Sequence, residues 1–301
     1  MEKPYILHMF TPAKNLSPFD VNMACDAGWN TVVPYTSVET DEVQGLVQDA
    51  IFSRGPSGVK RTGIFLGGRD MHMAMDMLDI CKGSMVPPFE VSCFADPSGA
   101  FTTASGMVAA VEEALAKNFN TTLEGKAVMA LGGTGPVGSA GAILAAKAGA
   151  KVKILGRKKD KAQAVAELCS ERYGVDVSGI EGEANERIDD LIEWTDVVLA
   201  TAAAGIEVLN AEQIGRASSL LVAADVNAVP PPGVAGLGAH FDREPLPDSK
   251  NGAVGVGALA IGNVKYQAQH RLLKKMCESD KPVYYHFEDA FEVAREYIKE
   301  R

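Results

Sequence analysis

The chain has 301 residues, of which 47% are hydrophobic and 23% charged, enough for two domains of ordinary size and too apolar for disorder as the default state. A formal net charge of −10 excludes a general binder of nucleic acid or of an anionic membrane, since both need basic surface to meet phosphates. Five scattered cysteines with no CxxC pair, and five histidines without ligand spacing, signal neither a disulfide framework nor a zinc site, so no metal is expected.

In chain order, residues 5–9 read as a first strand, followed by turn-forming Thr11-Pro12 and residues 17–20. Ser17 or Asp20 is placed to cap a helix over 21–27 that Gly28 would end. An apolar run at 31–34, a helical segment over 41–51, a strand at Thr62–Leu66 and a methionine-rich helix over 71–81 follow. The methionines at 71, 73, 75, 77 and 85 read as gap-filling core residues rather than a binding face. A strand at 90–94 leads into the polar passage 96–103 and then a helix over 104–117. That passage is either a site loop at a strand end or an ordinary helix start. The alternation of strands and helices predicts an α/β fold, and 120–125 reads as a linker into a second domain.

Residues 126–155, KAVMALGGTGPVGSAGAILAAKAGAKVKIL, form a strand, turn, helix, strand unit. The turn is Gly133, Thr134, Gly135, Pro136, Val137 and Gly138. Gly133 would allow the tight bend, Gly135 the approach of a pyrophosphate and Gly138 close packing of helix on strand, which predicts a dinucleotide site of the Rossmann kind. Pro136 fits the first helical turn, where its missing N–H is no loss. At the end of the next strand an NAD site would place an acidic residue for the ribose hydroxyls, but Arg157 and Lys158 stand there. Their positive charge favours NADP, with NAD also accepted. A helix over 160–173, a strand at 175–177, a helix over 184–194 and a strand at 196–200 continue the pattern. Ala202 beyond that strand is small enough for a cofactor to lie against the backbone. After a strand at 220–224, Asp225 and Asn227 are candidate nicotinamide contacts or equally a loop brace. Residues 252–262 are glycine-rich without the Ser or Lys of a P-loop, and lead to a long helix from 263 whose Lys265 is a candidate functional lysine. Residues 286–301 read as an amphipathic helix returning to the first domain.

Taken together, ILHMFTPAKNLSPFDVNMA, IFSRG, TGIFLGG, VPPF, DPSGAFTTASG, GGTGPVG, ADVNAVPP and GALAIGNVKYQ resemble the bacterial NAD(P)-dependent methylene-tetrahydromethanopterin dehydrogenases along most of the chain. The resemblance implies an α/β chain with a pterin-binding domain, residues 1–121 completed by 266–301, and an inserted Rossmann-type parallel-sheet domain, 122–265. It implies hydride transfer from 5,10-methylene-tetrahydromethanopterin to the nicotinamide, leaving the methenyl cation. Phe19, Asp20, Thr102, Thr103 and Lys265 match the family's pterin-side residues, with Gln267 in the same passage as Lys265. Phe19 would pack on the pterin, the two threonines would hold polar ring edges, and Lys265 would hold a pterin oxygen or pair with Asp20. Asp20 would stabilise the developing positive charge. A homo-oligomer, a trimer by resemblance, is implied. The lack of a signal-peptide pattern and of any membrane-length apolar run leads to an expected cytoplasmic location. Two other readings keep part of the pattern: a methylene-tetrahydrofolate dehydrogenase, and a non-catalytic NADPH sensor.

Overall fold

The computed structural model describes residues 3–180 and 184–301. Its elements are β1 (Ile6–Thr11), α1 (Pro18–Asp26), β2 (Thr31–Thr36), α2 (Val43–Phe52), α3 (Pro56–Val59), β3 (Thr62–Leu66), α4 (Met71–Gly83), β4 (Ser92–Ala95) and α5 (Ala100–Phe119). They continue with β5 (Ala127–Leu131), α6 (Pro136–Lys147), β6 (Lys151–Leu155), α7 (Lys159–Tyr173), β7 (Val177–Gly179), α8 (Ala184–Leu191) and β8 (Val197–Ala200). The last are α9 (Ala211–Arg216), β9 (Val222–Asp225), β10 (Asp242–Pro245), β11 (Val254–Val256), α10 (Ala258–Glu278), β12 (Tyr284–Tyr285) and α11 (Phe287–Glu300). The chain forms two compact units, one of Met1–Thr102 and Tyr266–Val293, the other of Thr103–Lys265 and Ala294–Arg301, so the divisions fall inside α5, α10 and α11. Among the described residues no helix is long and apolar enough to cross a membrane.

In the first unit a five-stranded sheet runs β12-β4-β3-β1-β2, parallel throughout. The inner strands β3 (TGIFL) and β4 (SCFA) are buried at every position, as expected where helices cover both faces of a parallel sheet. On α4, Met71, Met75 and Met77 are buried with Leu78 and Cys81, while Met73 faces outward, so the methionines are mostly core. Asp70 caps this helix, accepting from the backbone N–H of His72 and Met73 at 2.9 Å each. Trp29 packs close enough to β3 that a Cβ on Gly63 would lie 2.4 Å from its ring, and its Nε1 donates to the Leu273 carbonyl.

In the second unit a seven-stranded sheet runs β10-β11-β9-β8-β5-β6-β7, parallel except that β10 is antiparallel to β11. The strand order reverses between β5 and β8 while both strands run parallel, the arrangement of a dinucleotide-binding sheet. Gly106 on α5 lets that helix run against the backbone of α10, where a Cβ would lie 3.0 Å from Lys265 N and 3.1 Å from Ile261 O.

Three helix starts differ from expectation. α1 begins at Pro18, so Asp20 is inside the helix rather than capping it, and Ser17 stands at the N-cap without a side-chain cap bond. α5 begins at Ala100, because the Asp96 carboxylate accepts from the N–H groups of Phe101 (2.9 Å) and Thr102 (3.2 Å) and starts the helix early. Thr102 and Thr103 are therefore helical rather than in a loop. α10 begins at Ala258, so Lys265 is well inside it, and the glycines before it do not hold the chain open.

The end of α11 is fastened within the second unit. Arg295 forks onto Glu112 (2.8 and 2.7 Å), and Glu113, only 4% exposed, meets Arg301, Arg243 (2.8 Å) and Lys117 (3.1 Å). Arg243 lies at a bulge in β10 with φ of 74°, which turns its side chain toward that carboxylate. Burial alone would raise the Glu113 pKa, but hydrogen bonds from Arg301 and Lys117 and the Arg301 and Arg243 charges outweigh it and hold the carboxyl below its usual range. A depressed folded-state pKa contributes stability that is complete above the unfolded value, about 4.3, and is lost as pH falls through the folded value. Glu113→Gln is therefore expected to lower the thermal midpoint by several degrees at neutral pH, with the gap to wild type closing in melts run below about pH 4. A gap that keeps its size as the pH is taken further down would refute the assignment.

Candidate functional site

The glycine turn of the second unit lies between β5 and α6, at the carboxyl edge of the sheet. Gly132, not Gly133, takes the left-handed conformation, with φ of 75°. A Cβ on Gly132 would sit 2.7 Å from Ala202 N, so the turn rests on the backbone beyond β8. Gly133 is needed for a different reason than the bend: its Cβ would meet Ala130 O and Ile154 Cγ2, each at 2.8 Å. Gly138 brings the start of α6 against the turn itself rather than against the strand, since a Cβ there would lie 2.5 Å from Gly133 Cα and 2.8 Å from Gly132 O. Gly135 is different. Its Cβ would meet nothing closer than Gly132 O at 3.5 Å, so the fold leaves open space beside it. Gly135 is the N-cap residue of α6 with Pro136 in the first turn, and the N–H groups of Val137 and Gly138 follow at the positive end of a 12-residue helix. A bare backbone, free space and a helix N-terminus together fit a pyrophosphate.

The same turn gathers the neighbouring strand ends. A Cβ on Gly156 would lie 2.6 Å from Thr134 Cγ2, which sets the end of β6 beside the turn, with Arg157 and Lys158 exposed just beyond it. Thr201 Oγ1 donates to Leu131 O at 2.9 Å, and Ala202 is half-buried next to it. Asp225, at the end of β9, is buried and accepts from the N–H groups of Asn227 (2.9 Å), Gly233 (2.6 Å) and Val234 (3.2 Å). Burial pushes its carboxyl above the usual range, against the pull of those three bonds. Asn227 accepts from Gly205 N (3.3 Å) and Val229 N (2.9 Å) and donates to Pro231 O (2.9 Å). These two side chains brace the loop and tie it to the segment after β8, as the second of the two sequence readings has it.

In the first unit the strand order switches between the parallel neighbours β1 and β3, so the crevice of this sheet lies at the carboxyl ends of those strands. α1 starts there. Phe19 is 41% exposed on its first turn, while Asp20 beside it is 2% exposed and accepts from Gln269 Nε2 at 2.8 Å. After β4, Thr102 Oγ1 donates to Asp96 Oδ2 at 2.6 Å with both residues buried, and Ser98, held at φ of 52°, donates to Gly68 O at 2.6 Å. The Thr102 hydroxyl is thus part of the helix start. Gln267 on α10 is half-buried, and so are Thr103 and Lys265, which belong to the second unit. Gln267 is two residues from Lys265, roughly 200° around the helix, so the two do not share a face; Gln269, one turn on, does share it.

A family model described as methylene-tetrahydromethanopterin dehydrogenase, N-terminal, matches residues 18–98. The NAD(P)-dependent methylenetetrahydromethanopterin dehydrogenase of Methylorubrum extorquens is 46% identical over 292 residues, covering 97% of this chain and 98% of that protein. The chain belongs to this dehydrogenase family. The bifunctional protein MdtA of the same organism is 33% identical, again over 97% of the chain and 98% of the relative. The shikimate 5-dehydrogenase of Listeria monocytogenes shares the fold, with a TM-score of 0.52 and 16% identity over 99% of this chain and 96% of that one. The family resemblance and the α/β fold class read from the sequence are both borne out.

Three residues of this family member escaped the sequence reading. Gly132 was signalled only by the Gly132-Gly133 doublet, and Asp96 by its place before a proline turn. Gln269 had only its one-turn spacing from Lys265 to point to it. The glycine geometry separates binding from folding. Gly135→Ala is expected to melt like wild type yet weaken dinucleotide binding about tenfold or more, whereas Gly138→Ala is expected to lose about 1–3 kcal/mol of stability from overpacking. Calorimetric melts and cofactor titrations of both variants check this; equal destabilisation by the two would count against an open pyrophosphate seat at Gly135.

Proposed function

We propose that this chain transfers a hydride from the methylene bridge of 5,10-methylene-tetrahydromethanopterin to NAD(P)+, leaving the methenyl cation, in one-carbon oxidation. The observation that carries the reading is 46% identity, along 97% of the chain, to a dehydrogenase named for that substrate and cofactor. When bound, the nicotinamide supplies the hydride acceptor. The turn Gly133, Thr134, Gly135, Pro136, Val137 and Gly138 would hold the pyrophosphate, Arg157 and Lys158 the 2′-phosphate of NADP, and Ala202 with the loop braced by Asp225 and Asn227 the nicotinamide side.

The reacting carbon loses a hydride and no proton, so general acid–base catalysis is not required and the protein's main work is orientation. Phe19 offers an exposed ring on which a pterin can stack. Thr103 and Gln267 take polar ring edges, and Lys265 holds a pterin oxygen. Thr102 acts at one remove, by fixing the start of α5 through Asp96. Asp20 carries the negative charge that the developing cation needs, and its burial strengthens that attraction relative to water. We further infer a homo-oligomer, a trimer on the family resemblance, working in the cytoplasm. Five unpaired cysteines support a reducing compartment.

Methenyl formation, followed optically with each pterin and each nucleotide, tests the reading. Turnover is expected to be faster with the methanopterin than with methylene-tetrahydrofolate. Preference for the folate would overturn the substrate, and NADP binding without turnover of either pterin would favour a sensor. Replacing both Arg157 and Lys158 with alanine is expected to raise KM for NADP about tenfold or more while leaving KM for NAD within about twofold, since only NADP carries the phosphate they meet. Equal changes in both KM values would remove them from cofactor choice.

A further inference from the structure

One partner of Asp20, Gln269, is a residue that folding alone does not call for. Gln269 is fully buried on α10, among Val264, Ala268, Leu272, Leu273 and Met276, which are buried and apolar. Its Nε2 reaches Asp20 Oδ1 at 2.8 Å across a separation of 249 residues. Its Oε1 is buried with no hydrogen-bond partner among the described residues. A buried amide left half-satisfied is unfavourable compared with an apolar side chain of the same size, so packing favours methionine or leucine here. What the amide achieves is its bond to Asp20.

We propose that Gln269 is a positioning residue for hydride transfer, orienting the Asp20 carboxylate; this rests on the reading of Asp20 as the group that faces the developing cation. The chemistry of the donor is the reason for a glutamine. A lysine or arginine in its place would orient the carboxylate but cancel its charge, removing the field that stabilises the cation. A neutral amide fixes the geometry and adds no charge of its own to offset the carboxylate. Because Gln269 lies one turn beyond Lys265 on the same face of α10, that helix sets both side chains.

A double-mutant cycle tests the inference, with kcat, KM for NADP and the melting midpoint measured on each variant. Gln269→Met keeps the length of the side chain and removes the donor. It is expected to lower kcat about tenfold while KM for NADP stays within about twofold. Asp20→Asn is expected to lower kcat as well, and adding Gln269→Met to it is expected to cost less than about a further twofold, because the glutamine acts through the aspartate. Gln269→Glu keeps the shape, removes the amide donor and sets a second carboxyl against the first. It is expected to lose at least as much kcat, and it decides the question should the methionine variant not fold. Wild-type kcat in the variants of Gln269, losses that multiply in the double variant, or parallel decline of kcat, NADP affinity and stability would each overturn the proposal. Asp20→Asn with wild-type kcat would withdraw the reading of Asp20 and this inference with it. Impaired Asp20→Asn beside unimpaired variants of Gln269 would withdraw this inference alone.

Discussion

The second unit depends on how closely its backbones approach around one turn. Gly132, Gly133, Gly138 and Gly156 each stand where a Cβ would come within 2.5–2.8 Å of another atom, and the atoms met belong to the turn itself, to β5, to the ends of β6 and to the segment after β8. Close packing of this kind cannot be relaxed by a rotamer change, because much of what would collide is backbone. It follows that the strand ends carrying Arg157 and Ala202 are held at fixed places around the turn. Gly135 is the one glycine of the motif with room beside it, so the packing of the turn does not account for the absence of a side chain there, and the proposed pyrophosphate seat does.

Three buried carboxylates at strand or helix ends show how differently the same group is employed. Asp96 takes two backbone N–H groups and a threonine hydroxyl, and Asp225 takes three backbone N–H groups. Both are used to shape the chain. Neutral backbone donors compensate such a carboxylate by hydrogen bonding, and each bond also fixes a turn or helix start. Asp20 has a long-range side-chain amide as a partner, a contact that shapes no local turn. In that contrast lies the structural case for treating Asp20 as chemical and the other two as architectural.

What was legible in the sequence was what acts locally. The glycine motif, its proline and the basic residues at the end of β6 lie within a few dozen residues of one another, and their roles follow from covalent spacing. Even so, the reading put the left-handed turn one residue late, because the doublet Gly132-Gly133 offers two candidates and only the contact with Ala202 chooses between them. Helix starts were misjudged where the signal was nonlocal or masked. Asp96 caps α5 from before a proline turn, and the glycines ahead of α10 resemble a loop although two of them, Gly255 and Gly257, serve close packing instead. The bond from Gln269 to Asp20 joins opposite ends of the chain, and no local spacing could have announced it.

Overall charge and local charge answer different questions in this molecule. The formal charge of −10 argues against general binding of a polyanion, which needs many cations spread over a surface. It has little bearing on a single phosphate, because screening at physiological salt confines the interaction to about 8 Å. Within that radius Arg157 and Lys158 set the field, and both are exposed where a ligand can reach them. The proposed substrate asks for the opposite sign, and on that proposal Asp20 would supply it from a buried position where screening is weak. An acidic chain with one basic strand end is therefore electrostatically consistent with its proposed chemistry: cations to hold the phosphate of the acceptor, and a buried anion for the donor as it becomes a cation.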